Sequence, residues 1–164
     1  MKRLFSLAIL GVVSALVLAA CGGSSYGGNK SPATTSAPAP ATTSSAATIT
    51  AKSSSLGTFL VDSKGRTLYL FDADHGAMST CNGACAEDWP PLTTTGKPKA
   101  GAGVKSSLLG TSKRADGTSE VTYAGHPLYY FAGDTGPGQT TGQGSGAFGA
   151  PWWVVSPAGE ALTG

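Results

Sequence analysis

Residues 57–74 read Gly57-Thr-Phe-Leu-Val-Asp-Ser-Lys-Gly-Arg-Thr-Leu-Tyr-Leu-Phe-Asp-Ala-Asp74, and a similar stretch returns at residues 117–134 as Gly117-Thr-Ser-Glu-Val-Thr-Tyr-Ala-Gly-His-Pro-Leu-Tyr-Tyr-Phe-Ala-Gly-Asp134. The two stretches align without a gap and share turn glycines, apolar strand positions and a closing aspartate. A duplicated unit fixes the architecture of a chain more firmly than it indicates any chemistry. The identical positions are Gly57/Gly117, Thr58/Thr118, Val61/Val121, Gly65/Gly125, Leu68/Leu128, Tyr69/Tyr129, Phe71/Phe131 and Asp74/Asp134.

The duplicated stretches predict an all-β domain. In each copy two short runs of β-branched and aromatic residues flank a turn that contains Gly65 or Gly125. The expected strands are Thr58–Val61, Thr67–Phe71, Glu120–Tyr123, Leu128–Phe131 and Trp152–Ser156. A lone hairpin is marginally stable in water, so the two copies should pack pseudo-symmetrically as one small domain. We therefore assign residues 56–164 to this domain, with unit one at about 56–100 and unit two at about 116–160.

The N-terminus has the features of a lipoprotein signal peptide. Met1-Lys2-Arg3 is positively charged, Leu4 to Ala20 is largely apolar, and Leu18-Ala19-Ala20-Cys21 is a lipobox. The alternative, a retained transmembrane anchor, is disfavoured because the apolar run is at the short limit for a span and ends in Cys21-Gly-Gly. We predict that residues 1–20 are removed and that acylated Cys21 anchors an extracytoplasmic protein to the membrane bilayer.

Residues 21–55 consist mainly of Ser, Thr, Ala, Pro and Gly. Such a segment has little apolar surface to bury and cannot offset the entropy lost on ordering. The sequence predicts a disordered tether over this whole range.

The charge balance argues against nucleic acid as a partner. The chain has 11 Lys and Arg residues against 9 Asp and Glu residues. Because Lys2 and Arg3 leave with the signal peptide, the mature protein is formally neutral, and it has no basic patch with interleaved aromatics. We interpret a loose basic run in the middle of the chain as a solvated connection: Lys97, Lys99, Lys105, Lys113 and Arg114.

Three groups of residues resemble a known family. Tyr69-x-Phe71-x-x-Asp74 and Tyr129-x-Phe131-x-x-Asp134 are similar to the Y-x-[FWY]-x-x-D signature of the secreted lipoprotein repeat family. The segments Cys81–Pro91 and Trp152-Trp-Val-Val extend the resemblance over nearly everything after the tether. The resemblance implies a bacterial envelope lipoprotein with duplicated motifs. The family is largely uncharacterised, and some relatives are loosely associated with the use of apolar compounds such as alkanes.

Cys81 and Cys85 are the only cysteines besides Cys21. An even pair outside the cytoplasm, four residues apart, favours a local disulfide. Ser79 or Thr80 could cap a short helical turn that runs through Glu87. The alternative is a copper or redox site, because thiolate, thioether and imidazole ligands suit Cu(I). Its ligands would be His75, Met78, Cys81 and Cys85.

The aromatic and acidic motif residues favour structural roles. Tyr69, Phe71, Tyr129 and Phe131 should lie in the core, and Asp74 and Asp134 should cap turns rather than bind Ca²⁺. Trp152 and Trp153 fall on opposite faces of a strand, so one should be buried. The other could stack on a carbohydrate or an apolar ligand.

The sequence does not favour catalysis. His75 and His126 are the only imidazoles, and neither lies in a nucleophile elbow or a zincin helix. We therefore expect no enzymatic activity and no cofactor, with copper as the alternative. The expected role is binding or scaffolding with an unknown envelope partner or small ligand.

Overall fold

The computed structural model describes residues 46–163, and these form a domain built mainly of short strands. The expectations for residues 1–45, which include the signal peptide and Cys21, lie outside the described residues. The elements are β1 (Thr48–Ser54), β2 (Gly57–Asp62), β3 (Tyr69–Phe71), α1 (Ala84–Asp88), β4 (Lys99–Ala100), β5 (Leu109–Lys113), β6 (Ser119–Tyr123), β7 (His126–Pro127) and β8 (Trp152–Val154).

Three small sheets carry the fold. The first has the order β2-β1-β4, the second β5-β6-β7, and the third pairs β3 with β8. Strands β1 and β2 form an antiparallel hairpin from Ser54↔Gly57 to Ile49↔Asp62. Strands β5 and β6 form the second antiparallel hairpin, from Lys113↔Ser119 to Leu109↔Tyr123. The all-β prediction with two repeats is confirmed, but the long hairpins use β1 and β5 as partners. The strands expected to pair within each copy meet only over a short stretch, at Val61↔Thr67 in unit one and between β6 and β7 in unit two.

The two repeats meet at a pseudo-twofold axis. The amide of Tyr69 donates to the carbonyl of Tyr129, and the amide of Tyr129 donates to the carbonyl of Tyr69, both at 2.9 Å. The axis therefore passes between the two tyrosines. Each repeat contributes one half of a shared core.

The gapless alignment is one residue out of register in the first strand of each stretch. Leu60 N donates to Val155 O, and Val121 N donates to Leu92 O, both at 2.8 Å. Leu60, rather than Val61, is thus equivalent to Val121, because the turn of unit one holds one more residue. By the same correspondence, Phe59 in unit one is equivalent to Glu120 in unit two. Both side chains are fully buried.

Two of the longer strands were not expected from the sequence, nor was the two-residue strand β4. Strand β1 occupies Thr48–Ser54, inside the segment assigned to the tether, so the boundary at residue 55 is wrong. The β-branched run Thr48-Ile49-Thr50 was the available signal, and Ile49 is fully buried. Strand β5, at Leu109–Lys113, precedes the expected start of unit two at residue 116. Both strands are rich in small and polar residues because only part of each packs on the core.

Several strands are shorter than expected. β3 begins at Tyr69, β8 ends at Val154, and the predicted strand Leu128–Phe131 is reduced to backbone bridges at Tyr129. The turn glycines behave as expected, since Gly65 and Gly125 have φ angles of 80° and 86°. Strand β7, which contains Pro127, lies at the edge of its sheet.

The short helix near the cysteines is confirmed, but its start differs. Helix α1 spans Ala84–Asp88, and the residue that precedes it is Gly83, with a φ of 57° and no capping side chain. Neither expected residue caps the helix, because both lie too far ahead of Ala84: Thr80 donates to Asp74 instead, and Ser79 accepts from Arg114. Among residues 46–163, no helix has the length and apolarity that a bilayer span requires.

Candidate functional site

Four aromatic rings form a column through the domain centre. The indoles of Trp89 and Trp152 stack at 4.0 Å with an angle of 7° between their planes. Phe71 stacks on the outer face of Trp152 at 4.0 Å, and Phe131 lies against Trp89 at 4.4 Å. Each phenylalanine therefore packs on the tryptophan that follows the other repeat. The column joins the two units.

The two motif tyrosines flank this column edge-on. Tyr69 contacts Trp89 with ring centroids 5.3 Å apart, and Tyr129 contacts Trp152 at 5.2 Å. Both tyrosines are fully buried. Such edge-to-face contacts are a preferred aromatic geometry. The structure thus places these motif aromatics in the core.

Each tyrosine hydroxyl donates a hydrogen bond to the aspartate of the other repeat. Tyr69 Oη lies 2.7 Å from Asp134 Oδ2, and Tyr129 Oη lies 2.7 Å from Asp74 Oδ2. Burial raises the pKa of both phenols, and the neighbouring carboxylates raise it further. The sequence did not reveal these cross-repeat bonds. The available signal was the identical spacing of tyrosine and aspartate in both copies.

The second oxygen of each aspartate holds the loop that follows its motif. Asp74 Oδ1 accepts from the Thr80 amide at 2.7 Å, and Asp134 Oδ1 accepts from the Thr141 amide at 2.9 Å. The hydroxyl of each threonine donates to the same oxygen. The aspartates therefore act as loop caps while they also bind the tyrosines. Their oxygens are engaged by protein donors.

Cys81 and Cys85 form a disulfide, with their Cα atoms 5.2 Å apart. Both residues are buried beside the aromatic core. His75 and Met78 form a separate exposed turn, and Met78 is 68% exposed. Residues 46–163 contain no group of three or more His, Cys, Asp or Glu residues arranged to hold a metal. In the bridged form neither sulfur is a thiolate, so the copper hypothesis applies to the reduced chain.

A buried ion pair lies beneath the disulfide loop. Arg114 Nη1 donates to Glu120 Oε2 at 2.9 Å, and the Arg114 and Glu120 side chains are 2% and 0% exposed. The assignment of Arg114 to a solvated connection is therefore wrong. The guanidinium also donates to Ser79 Oγ at 2.7 Å and to the Cys81 carbonyl at 2.6 Å. Arg114 thus ties the disulfide loop to strand β6.

The electrostatics of this ion pair are dominated by burial. Loss of hydration raises the pKa of Glu120 to about 7, although the hydrogen bond and the charge of Arg114 act in the opposite direction. The negative charges of Asp74 and Asp116 raise it further. Among the residues that the structure describes, Glu120 Oε1 has no hydrogen-bond partner. The buried position of Glu120 could not be predicted by comparing the repeats, because the equivalent residue in unit one is Phe59.

Of the two adjacent tryptophans, one is buried and the other is partly exposed, as expected. Trp152 is fully buried, and its indole nitrogen donates to the Ala147 carbonyl at 2.9 Å. Trp153 is half-buried, and its indole nitrogen donates to Asp72 Oδ2 at 3.0 Å. Trp152 is thus a core residue and is not available as a stacking platform. Trp153 keeps one part of its surface open.

Comparison with known proteins gives one family. A family model described as a secreted repeat of unknown function matches residues 50–93 and 110–156, which together make up more than half of the chain. The two matches begin within β1 and β5, the first strands of the two hairpins. No curated protein and no solved structure shows a significant match.

Proposed function

The chain belongs to the family of secreted repeats of unknown function, and on that premise we propose that it is a lipid-anchored protein of the cell envelope with a non-enzymatic binding or scaffold role. The family places it outside the cytoplasm. The lipid anchor and the non-enzymatic role are our own inference from the chain.

One observation carries the non-enzymatic role. The polar groups that recur in both repeats are engaged with each other, since Tyr69 bonds Asp134 and Tyr129 bonds Asp74. A catalytic group must face the substrate with a free donor or acceptor. These four residues instead hold two half-domains together. A rigid domain of this kind suits the presentation of a surface.

The imidazoles support the same proposal. Within residues 46–163, the side chains of His75 and His126 make no hydrogen bond and no ion pair. A general base is normally oriented by a third group and lies within reach of its nucleophile. Neither histidine has such a partner in the part of the chain that the structure describes.

The anchor is supported by the lipobox Leu18-Ala19-Ala20-Cys21. Acyl chains on Cys21 would hold the domain at the membrane, because more than one chain suffices for stable anchoring. The residues between Cys21 and β1 would then connect the bilayer to the folded domain. Their Ser, Thr, Ala and Pro content is typical of a polar tether.

The anchor is tested by a substitution at the acylated position. Cells that express the parent chain or Cys21→Ala are labelled with palmitate and then fractionated. We expect label and membrane association for the parent, and neither for the mature domain of the variant. An unlabelled parent chain, or a variant that is labelled equally, would contradict the anchor. Thr42→Ala serves as a control in the tether.

The non-enzymatic role is tested by removing both candidate bases. His75→Gln and His126→Gln are combined in one chain, which is compared with the parent for cross-linking to envelope components in cells. We expect the same cross-linked species from both chains, because binding by a rigid surface does not need the imidazoles. Loss of a product that the parent forms would instead assign them a chemical role.

A second candidate, binding of a carbohydrate or an apolar compound, is favoured only by the half-buried Trp153. Its ring lies beside Gly144, where a Cβ atom would come within 3.5 Å of the indole. Titration of tryptophan fluorescence with envelope glycans and alkanes tests this role. A response that persists in Trp153→Ala would exclude this residue as the platform.

A further inference from the structure

We propose that a groove across one face of the β5–β6 hairpin binds an anionic, hydroxyl-rich oligomer of the cell envelope, whose negative charge comes from carboxylate or phosphate groups. The inference rests on the binding role proposed above and names its site and the class of ligand. Two lysines and a set of hydroxyl side chains carry it. The site is separate from Trp153, which lines neither of the cavities that form the groove.

Two adjoining cavities form the groove. The first, of about 420 Å³, lies between residues 94–98 and residues 109–111. The second, of about 390 Å³, lies beside Lys113 and residues 117–119. Each volume falls within the range of about 300–1,000 Å³ that is typical of small-molecule sites, so an oligomer of a few units fits across both. The residues that line both cavities are Thr94, Thr95 and Ser119.

The pairing of the strands shows where the groove lies. The register places Thr111, Lys113 and Ser119 on one face of the hairpin, because side chains alternate along each strand. Thr94 N donates to Ser119 O at 2.9 Å, so residues 94–98 begin at the edge of β6 that is far from β5. The groove therefore crosses the face of the hairpin, from residues 94–98 on one side to β5 on the other.

The rim that residues 94–98 provide is held in place by hydrogen bonds. Thr94 Oγ1 accepts from the Ala47 amide at 3.2 Å and donates to the Gly96 carbonyl at 2.8 Å. At the far end of the rim, Lys99 N donates to Ala47 O at 2.8 Å. Because the rim is already ordered, a ligand does not have to offset the entropy of ordering it.

Two lysines give the groove its charge. Lys97 lines the first cavity and Lys113 the second, and both residues are exposed. Lys113 Nζ also donates to the Gly117 carbonyl at 3.3 Å, which keeps the ammonium beside its cavity. Among the described residues, no Asp or Glu lines either cavity, and the nearby Asp116 accepts from the amide and the hydroxyl of Thr118. The groove therefore attracts negative charge at two points.

Hydroxyl groups line the same groove. Ser119 lines both cavities and Thr111 lines the first, and neither side chain makes a hydrogen bond within residues 46–163. A hydroxyl both donates and accepts, so these two groups can bond the hydroxyls of a ligand. The larger apolar side chains in the lining are those of Leu109 and Pro98. This lining matches a hydroxyl-rich anion better than an apolar compound.

The equivalent face of the first repeat differs. By the registers of the two hairpins, Ala51 and Ser53 in β1 are equivalent to Thr111 and Lys113 in β5. The backbone of Gly103 packs on Ala51, since a Cβ atom at Gly103 would lie 2.7 Å from the Ala51 Cβ. The position of Thr111 is thus covered in the first repeat, and that of Lys113 carries no charge. The groove belongs to the part of the domain in which the repeats are unequal.

A bilayer with anionic head groups is the competing source of negative charge. A flat membrane surface meets protruding groups, whereas Ser119 is half-buried between the rim and β5. A protein that inserts into the bilayer interface also uses exposed apolar side chains. The most exposed large apolar residues, Met78 and Phe148, line neither cavity. An oligomer that enters the groove therefore fits better than a membrane surface.

The proposal is tested by calorimetric titration of the purified chain with defined probes. The anionic probes are a galacturonate trisaccharide and a glycerol phosphate trimer, and maltotriose is the uncharged control. We expect one of the anionic probes to bind about tenfold or more tightly than maltotriose and to shift the amide NMR signals of Thr111 and Ser119. The probe that binds shows whether the ligand is a carboxylate or a phosphate. Absence of binding by both anionic probes, or equal binding of maltotriose, would overturn the proposal.

Substitutions in the basic run provide the matched variants. We expect Lys97→Gln combined with Lys113→Gln to weaken binding by about fivefold or more, because each exposed ion pair contributes a few-fold. Ser119→Ala should weaken it by about two- to tenfold through the loss of one hydrogen bond. Lys99→Gln is the control, because Lys99 is exposed but lines neither cavity. Thermal unfolding of each variant shows that it is folded. If Lys99→Gln weakens binding as much as the double variant, the attraction is one of general charge and the proposal is wrong.

Vesicles of phosphatidylcholine and phosphatidylserine test the competing occupant. They are mixed with the Cys21→Ala chain, so that an acyl anchor does not contribute. Vesicle binding that depends on Lys97 and Lys113, without binding of either anionic probe, would assign these lysines to the membrane and overturn the proposal. None of these results bears on palmitate labelling at Cys21 or on the histidine variants, so the proposed function and this inference fail separately.

Discussion

Arg114 and Glu120 show how a single buried pair can organise a loop. The guanidinium bonds the carboxylate, Ser79 and the Cys81 carbonyl, and both charged side chains are excluded from solvent. Removal of one partner from a buried pair leaves an uncompensated charge. Replacement of both by apolar residues removes that cost. In unit one, the position equivalent to Glu120 is already occupied by the apolar residue Phe59.

We predict that Arg114→Met lowers the free energy of unfolding by about 3–5 kcal/mol at pH 8. Addition of Glu120→Leu to this variant should restore most of the loss, because no buried charge then remains. Urea unfolding of the parent, the single variant and the double variant measures both effects. A double variant as unstable as Arg114→Met would show that the loop contacts of Arg114, rather than its charge partner, dominate.

Glu120 also gives the domain a predictable pH dependence. Because burial raises its pKa from 4.5 to about 7, the folded state holds a proton that the unfolded state releases between these values. The stability that Glu120 contributes is therefore present at acidic pH and is lost as pH rises toward about 7. We expect the parent to lose stability relative to Glu120→Gln between pH 5 and pH 8. A constant difference between the two proteins, or one of opposite sign, would argue against the raised pKa.

At the scale of elements, the sequence predicted what local chemistry determines. Gly65 and Gly125 set the hairpin turns because their backbones adopt positive φ. The cysteine spacing predicted a local bridge. Strands β1 and β5 were missed because their burial comes from neighbouring strands, and their own residues are small and polar. The start of α1 was misplaced because Thr80 bonds Asp74, a contact that spacing does not reveal.

The disulfide constrains only a short loop around α1. The unfolded chain loses little entropy when so few residues are closed, so Cys81→Ser with Cys85→Ser should lower the free energy of unfolding by about 2 kcal/mol or less. The loop keeps its bonds from Arg114 and Asp74 in this variant. Thermal unfolding measures the loss, and a thiol count on the denatured, unreduced protein checks the bridge. Two titratable thiols from Cys81 and Cys85, with one bound copper, would favour the metal alternative.

At the scale of the whole molecule, duplication predicted one domain with pseudo-twofold symmetry. It did not predict how the halves are joined, because the Tyr69–Asp134 and Tyr129–Asp74 bonds depend on which residues face each other across the axis. The aromatic column was hidden for a similar reason. Trp89 and Trp152 follow their repeats at different distances, so an alignment of the repeats does not pair them.

The two halves of the domain differ at a covered sheet edge and at a buried ion pair. The first hairpin has its outer edge covered by residues 99–102, whereas the outer edge of β5 is open within the described residues. The ion pair of Arg114 and Glu120 occurs in the second repeat. In the first repeat, the position equivalent to Glu120 is occupied by Phe59. The shared residues thus build the domain, and the unequal ones give it a distinct surface.

The central claim is that the reciprocal tyrosine–aspartate bonds make the two repeats one cooperative unit. Native-state hydrogen exchange of Tyr69→Phe and Tyr129→Phe, compared with the parent, tests it most directly. A hydrogen bond to a charged group contributes about 1.5–3 kcal/mol. Each variant should therefore lose protection of that size at the slowest amides of both repeats, including Leu60 and Val121. Loss confined to one repeat, with the other unchanged, would show that the halves unfold independently and would contradict the account.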